Sequence, residues 1–319
     1  MGNVLFSGAR AAYLSTTLLG GERLKRMIDG DFGNALKVLS ETGFGAGASD
    51  GFSVDALIEK ETTKLAEFIR TASPNGIIRD FFLLPYDFRN AESIVKAKFL
   101  KTEPVTNACG TIDPKVLKER IFSDDYKGLP EFMAKALSES DRLFVEGNAD
   151  GNAINVLFVK GLYEQLFDLK TEKTLREVLT RKADCLNIGI ALRSRNFERA
   201  KRQFVKRGKL TDNELKTLCE SDFNEITEKF AFSDYKAEIS AAVNGLENGN
   251  LKEFERISES RFVKEINKER FSTEGIMPFI RYCAYKFADI TNVRVILVGL
   301  SVGIPREEIT LRLREHYEG

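Results

Sequence analysis

An Asp-x-x-Asn motif occurs three times in the chain of 319 residues, and this spacing suits two kinds of chemistry. The carboxylate and the carboxamide both supply oxygen ligands for a hard metal ion, and both form hydrogen bonds at the edge of a packed helix. A metal site needs further carboxylates at octahedral spacing, and no copy offers them close by. The motif therefore favours a structural role, in which each pair bonds to the backbone of an adjacent loop. The pairs are Asp87 and Asn90, Asp184 and Asn187, and Asp289 and Asn292.

An arginine stands eight residues before each of these aspartates. The three arginines are Arg79, Arg176 and Arg281. They are candidates for reaching the Asp-Asn pair of their own copy and for an interface with another protein. In the first copy Pro85 stands two residues before Asp87, and a proline removes a helical hydrogen bond. We therefore expect the helix to break or restart at Pro85.

Apolar residues follow each aspartate at the fourth, seventh and eighth positions, which is one face of an α-helix. In the third copy they are Val293, Ile296 and Leu297. Taken alone, the segment "KFADITNVRVILVGLSVGIP" could be a buried strand, a short membrane-seeking segment or a packed helix. Its apolar run is too short to span a bilayer, and the pattern shared with the other two copies favours a packed helix.

Each copy then reaches a glycine and a helix-start signal. In "GTIDPKVLKERI" Asp113 is a candidate N-cap, and in "GKLTDNELKTL" Thr211 and Glu214 have the spacing of a capping box. In "GIPREEITLRL" Pro305 would open the helix. No pairs of alternating strands with hairpin turns appear. We predict an all-α protein of three similar helical bundles, comprising residues 1–121, 122–222 and 223–319.

A basic segment, "RSRNFERAKRQFVKRGK", carries eight basic residues against the single acid Glu198. Three interpretations are open: a solvated helix end whose phenylalanines, Phe197 and Phe204, pack inward; a basic rim that meets acidic partner surfaces or lipid headgroups; and a nucleic-acid surface. The balanced charge of the whole chain, with 48 basic and 48 acidic residues, argues against a dedicated nucleic-acid binder. The candidate interface residues in this segment are Arg193, Arg195, Arg199 and Arg202.

Other chemistry-bearing residues predict neither a catalytic site nor a cofactor or metal site. The only histidine, His316, has no ligand partner at a suitable spacing and is expected to be a solvated side chain. The segment "GFGAGASDG" lacks the ending of a phosphate-binding P-loop and is predicted to be a loop between helices. Four cysteines lie far apart with no CxxC pair, which indicates thiols in a reducing compartment rather than a disulfide scaffold. No signal peptide is evident, so a soluble cytosolic protein is expected.

Several segments together resemble the C subunit of the V/A-type ATPases, the prokaryotic counterpart of the d subunit of the vacuolar proton pump. They are "SGARAAYLSTTLLGGERLKRMI", "LLPYDFRNAESIVKAKF", "ADCLNIGIALRSRNF" and the C-terminal stretch that begins at "PFIRYCAYKFADITNVRV". The similarity covers essentially the whole chain. No single motif is specific, but three copies in this order are typical of the family.

The resemblance implies a funnel of three helical domains around a pseudo-threefold axis. It also implies a non-catalytic rotor subunit that binds the cytoplasmic face of the proteolipid ring, receives the central shaft and transmits torque. Such a subunit is peripheral to the membrane and is not inserted in it. The alternative is a helical-repeat scaffold that binds other proteins outside any ATPase.

Overall fold

The computed structural model describes residues 4–45, 53–273 and 275–317, and its only regular elements there are α-helices. The predicted all-α class is confirmed. Most of the predicted loop Gly43–Gly51 lies outside the described residues. The helices are α1 Val4–Ser15, α2 Gly20–Asp29, α3 Phe32–Glu41, α4 Val54–Ala72, α5 Gly76–Leu100, α6 Pro114–Phe122, α7 Glu131–Val145, α8 Gly151–Asp168, α9 Lys173–Ser194, α10 Phe197–Lys201, α11 Asp212–Glu220, α12 Phe223–Lys229, α13 Lys236–Glu247, α14 Lys252–Asn267, α15 Met277–Ser301 and α16 Arg306–Leu311.

Side-chain caps explain where several helices begin. The Asp113 carboxylate accepts the N–H of Lys115 at the start of α6, and Thr211 and Glu214 form a reciprocal capping box at the start of α11. Each cap satisfies backbone donors that the first helical turn leaves without a partner. Both predicted caps are confirmed.

The chain divides into two compact units. The terminal unit comprises Met1–Asn75 and Ala237–Gly319, and the central unit comprises Gly76–Lys236. The three-bundle division at residues 121 and 222 stays a prediction.

Helix α15 forms the core of the terminal unit, where it packs against α1, α2, α4 and α14. The predicted apolar face of Val293, Ile296 and Leu297 is fully buried, and so are Phe279 and Cys283 towards the helix start. A helix that is apolar almost all round needs neighbours on several sides, and these four helices provide them. The segment singled out in the sequence as strand, membrane segment or helix is thus a core helix.

Helix α5 in the central unit corrects the expectation of a break at Pro85. The helix runs without interruption from Gly76 to Leu100, with Pro85 inside it. A proline in a helix interior costs roughly 3 kcal/mol. Buried side chains on both sides of it, including Leu83, Leu84 and Phe88, stabilise the continuous helix against that cost.

Candidate functional site

The three asparagines of the Asp-x-x-Asn motifs make the same pair of hydrogen bonds. In each, Oδ1 accepts the N–H of one loop residue, and Nδ2 donates to the carbonyl of that same residue. The two distances are 3.0 and 2.8 Å for Asn90 with Asn107, 2.9 and 2.8 Å for Asn187 with Val205, and 2.8 and 3.1 Å for Asn292 with Arg314. All three side chains are buried. Each carboxamide therefore holds one loop in a single register against its helix.

The aspartates of the first two copies also share a pattern. Both carboxylates accept two successive backbone N–H groups just before a helix: Thr111 and Ile112 for Asp87, at 2.9 and 3.0 Å, and Lys209 and Leu210 for Asp184, at 2.8 and 3.1 Å. Each carboxylate also accepts a hydroxyl, from Thr111 in the first copy and from Tyr235 in the second.

Asp87 is fully buried, and its carboxylate lies among these donors. Burial raises the pKa of the Asp87 carboxyl, and the bonds from Thr111 and Ile112 oppose that rise. The three donors thus compensate part of the cost of burying a carboxylate.

A glycine allows the loop backbone to approach each of these two carboxylates. A Cβ atom on Gly110 would lie 1.9 Å from Oδ1 of Asp87, and one on Gly208 would lie 2.1 Å from Oδ1 of Asp184. No side chain fits at either distance. The glycine that follows each motif in the sequence therefore has a steric reason in these two copies.

The third copy differs because its donor lies 270 residues away along the chain. Oδ2 of Asp289 accepts the N–H of Leu19 at 2.9 Å, immediately before α2. Within the described residues, Oδ1 of Asp289 has no hydrogen-bond partner. Burial raises the pKa of Asp289 to about 6, and the Leu19 bond and the charges of Lys286 and Arg23 oppose that rise.

The helix start that faces Asp289 therefore belongs to α2 and not to the segment "GIPREEITLRL". That segment forms α16, which lies between the motif and Arg314, the partner of Asn292. Helix α10 lies in the same way between the second motif and Val205, the partner of Asn187. The predicted helix start at Pro305 is confirmed, since α16 begins directly after it. It is not the helix start that faces Asp289, because the donor to that carboxylate comes from the other end of the chain.

The three repeat arginines bond to groups other than the Asp-Asn pairs. Arg79 forms an ion pair with Asp80 at 2.8 Å, and Arg176 donates to the carbonyl of Leu169 at 3.3 Å. Arg281 donates to the carbonyls of Glu269, at 3.2 Å, and Arg270.

The basic segment forms an exposed surface on the central unit, which we call the basic surface (residues 193–209). Phe197 and Phe204 turn inward and are buried, with ring centroids 6.3 Å apart, as the first of the three interpretations expected. The four candidate arginines, Arg193, Arg195, Arg199 and Arg202, are all exposed.

Several cations of the basic surface are not neutralised. Lys201 and Arg207 lie 3.5 Å from the carboxylates of Asp212 and Glu164, and Arg195 donates to carbonyls at the end of α11. In the part of the chain that the structure describes, no carboxylate forms an ion pair with Arg193, Arg199 or Arg202. Desolvation and the nearby charge of Lys206 lower the pKa of Lys160, whose ammonium donates to the Arg202 carbonyl. This surface therefore holds excess positive charge available to a partner.

Sequence reasoning missed a buried ion pair in the terminal unit. Lys286 on α15 lies 3.0 Å from the Glu61 carboxylate on α4, which also accepts from Lys64 and from the N–H of Gly45. Burial alone would raise the pKa of Glu61, but these partners hold it below the ordinary value. The sequence feature that could have predicted this ion pair is Glu61 itself, because it lies on the apolar face of α4 between Leu57 and Leu65.

The remaining titratable residues lie as follows. His316 is half-buried, and a Cβ atom on Gly21 would lie 2.8 Å from its Nε2 atom, so the expected solvated side chain is wrong. The four cysteines are buried thiols. Among the described residues, no group of three or more His, Cys, Asp or Glu side chains could hold a metal ion.

Comparison with protein families decides the affiliation of the chain. Residues 8–312 match the model of the ATP synthase (C/AC39) subunit family. The chain belongs to this family. The resemblance to the C subunit of the V/A-type ATPases, to which the three motifs pointed, is thereby confirmed. A search among curated proteins gave no match. No helix in the described ranges of this C/AC39 chain is both long and apolar enough to cross a membrane.

Proposed function

We propose that this C/AC39 family member is a non-catalytic central-stalk subunit of a V/A-type rotary ATPase. It would act as a socket and spacer between the proteolipid ring and the central shaft, and it would carry torque between ion movement and ATP chemistry. It would lie on the cytoplasmic face of the membrane, peripheral to it, with the ring and the shaft as partners and with no nucleic acid, cofactor or catalytic residue of its own. The observation that carries the proposal is the family match across residues 8–312.

The Asp-Asn pairs supply a mechanical reason for this role. A torque-carrying part has to resist shear between its helices and loops, and polar pairs that are buried and satisfied resist sliding because every alternative register leaves donors unpaired. Asn90, Asn187 and Asn292 each hold a loop through two bonds. Three such fixed junctions support a stiff element between two partners.

The basic surface is our candidate contact with an acidic partner surface. Arg193, Arg199 and Arg202 are exposed and have no ion pair in the described chain. Complementary charge raises the rate of association and sets orientation more than it adds affinity. Contact through these arginines should therefore weaken steeply with added salt.

The test is a pull-down of the detergent-extracted proteolipid ring and the shaft subunit by the full chain. We expect both to be retained. Changing Arg193, Arg199 and Arg202 to Glu should reduce retention of one of them. The matched control reverses the same number of charges on the same unit, by changing three exposed lysines to Glu: Lys115, Lys127 and Lys170. This control variant should retain ring and shaft as the wild type does.

The outcomes separate the two candidate functions. Retention of neither ring nor shaft by a folded wild-type chain would overturn the rotor proposal and favour the helical-repeat scaffold outside an ATPase. Equal losses in the arginine and lysine variants would instead remove only the basic surface as a contact, because they would report a general effect of charge.

A further inference from the structure

A polar cavity in the terminal unit has features of a binding site that the rotor role does not use. It has a volume of about 650 Å³ and lies beside α1, the end of α14 and the first turns of α15. Two of its lining residues are arginines, Arg270 and Arg281, and none of the described residues in its lining is acidic. Two guanidinium groups, with no carboxylate among these described lining residues, favour an anion.

The two arginines differ in how firmly they are held. Arg281 is half-buried, and its Nη1 atom donates to the carbonyls of Glu269 and Arg270, which leaves its other N–H groups for a ligand. Arg270 is exposed, with its guanidinium carbon 4.8 Å from the centre of the Phe271 ring. One guanidinium is therefore held in place and the other can close over a bound anion.

The rest of the lining adds an uncharged donor and aromatic walls. Oδ1 of Asn267 accepts the hydroxyl of Tyr285, so the Nδ2 group of this amide remains as a donor. The rings of Tyr285 and Tyr317 meet edge to face with centroids 5.1 Å apart, and Phe271 is 81% exposed at the rim. These walls suit the organic part of a ligand whose charged group meets the arginines.

We propose that this cavity binds a phosphate monoester. The dianion matches two guanidinium groups in charge, and its three terminal oxygens accept the paired N–H groups that guanidinium presents. A single carboxylate would leave one of the two arginines without a counter-charge. The ester could come from a soluble metabolite or from a lipid headgroup, because both present the same dianionic group.

The experiment uses the full chain with three probes: inorganic phosphate, phenyl phosphate, and phosphatidylcholine vesicles that contain phosphatidic acid. Calorimetry measures binding of the soluble probes, and co-sedimentation measures binding to the vesicles. We expect phenyl phosphate to bind more tightly than inorganic phosphate, because its ring contacts the aromatic wall. Arg270→Gln and Arg281→Gln should each weaken phenyl phosphate binding roughly tenfold or more.

Arg294→Gln is the matched control, since Arg294 lies on the same helix as Arg281 but does not line this cavity. It should bind phenyl phosphate as the wild type does. Arg281→Gln also removes bonds to backbone carbonyls and could therefore disturb the local structure. Arg270→Gln removes an exposed side chain that makes no such bond within the described residues, so it tests the site separately from that structural effect.

Vesicle binding that Arg270→Gln abolishes would assign the ligand to a lipid, and phenyl phosphate binding without vesicle binding would assign it to a soluble ester. No binding of any probe by the wild type, or equal weakening in all three variants, would overturn the proposal. If phosphate binding fails in this way but the Arg270→Gln chain still retains ring and shaft, the rotor proposal stands independently of the cavity.

Discussion

The backbone N–H of Leu19 bonds to Oδ2 of Asp289 at 2.9 Å, which joins the beginning of the chain to its last long helix. In the first two copies the equivalent donors follow the aspartate by 24 to 26 residues. In the third copy a residue at the start of α2 supplies a donor. The N-terminal segment thus completes the third copy.

Among the described residues, the Asp289 carboxylate accepts one backbone N–H where its two counterparts each accept two, and this difference predicts a pH-dependent stability. The pKa of Asp289 is about 6 in the folded chain, compared with 3.8 for an ordinary aspartate. Because the folded value is the higher one, the stability contributed by the protonated carboxyl is complete below pH 3.8 and is lost as the pH rises to 6. Above pH 6 the ionised form costs about 3 kcal/mol relative to the acid side of this range.

Asp289→Asn removes this titration and leaves an oxygen that can accept from Leu19. We expect the free energy of unfolding of the variant, relative to the wild type, to rise by about 2.5 kcal/mol between pH 4 and pH 8. Urea denaturation of both chains in the same buffers measures the difference, since all other titrating groups then cancel. A difference that stays constant over this range would contradict the role given to the unpaired Oδ1 atom.

Asn292→Leu should loosen the C-terminal segment, because it removes both bonds to the backbone of Arg314. Each backbone group left buried without a partner costs about 1–3 kcal/mol, so a clear fall in melting temperature is expected. Hydrogen exchange at the Arg314 amide should accelerate, which a general loss of stability would not do selectively. The exposed Asn148→Leu serves as control and should change neither quantity, and a normal melting temperature for Asn292→Leu would refute the structural role.

Much of this architecture could be predicted because its signals are local. Caps such as Thr211 with Glu214 need only neighbours in sequence, and the apolar face of α15 follows from helical spacing. The importance of the Asp-x-x-Asn pairs could be inferred from their repetition. Their hydrogen-bond partners in the loops could not be inferred, because these partners are backbone groups, and every residue type except proline offers the same N–H.

Other features could not be predicted because they depend on tertiary packing. Glu61 and Lys286 lie 225 positions apart in sequence and pair only because α4 packs against α15. Helix α5 continues through Pro85 because the surrounding core outweighs a local penalty that sequence rules treat as decisive. The partner of Asp289 could not be predicted without knowing that the two ends of the chain belong to one compact unit.

Gly110→Ala tests whether the glycine after the first motif is required by the close approach of Asp87. The added methyl would meet Oδ1 of Asp87 at 1.9 Å, so the loop or α5 has to shift and lose bonds to Thr111 and Ile112. We expect a loss of roughly 1–3 kcal/mol in the free energy of unfolding. Gly151→Ala is the control, since outside its own helical turn no described atom lies within 4 Å of its added Cβ. Equal effects of the two changes would exclude the steric explanation.

Lys286→Met tests the buried pair with Glu61. Removing the ammonium leaves the buried carboxylate with Lys64 and the N–H of Gly45 as its remaining partners in the described ranges, and breaking a buried ion pair costs about 3–5 kcal/mol. We expect a loss near the lower end of this range, because Lys64 remains.

The double change Glu61→Leu with Lys286→Met supplies the control for that loss. It removes both charges and fills the site with apolar side chains, so it should recover most of the stability that the single change loses. Chemical denaturation of the wild type, the two single variants and the double variant gives the coupling free energy of the pair. Additive losses would show that Lys286 stabilises α15 through the contact of its ammonium with the Phe44 ring, 4.4 Å away, rather than through Glu61.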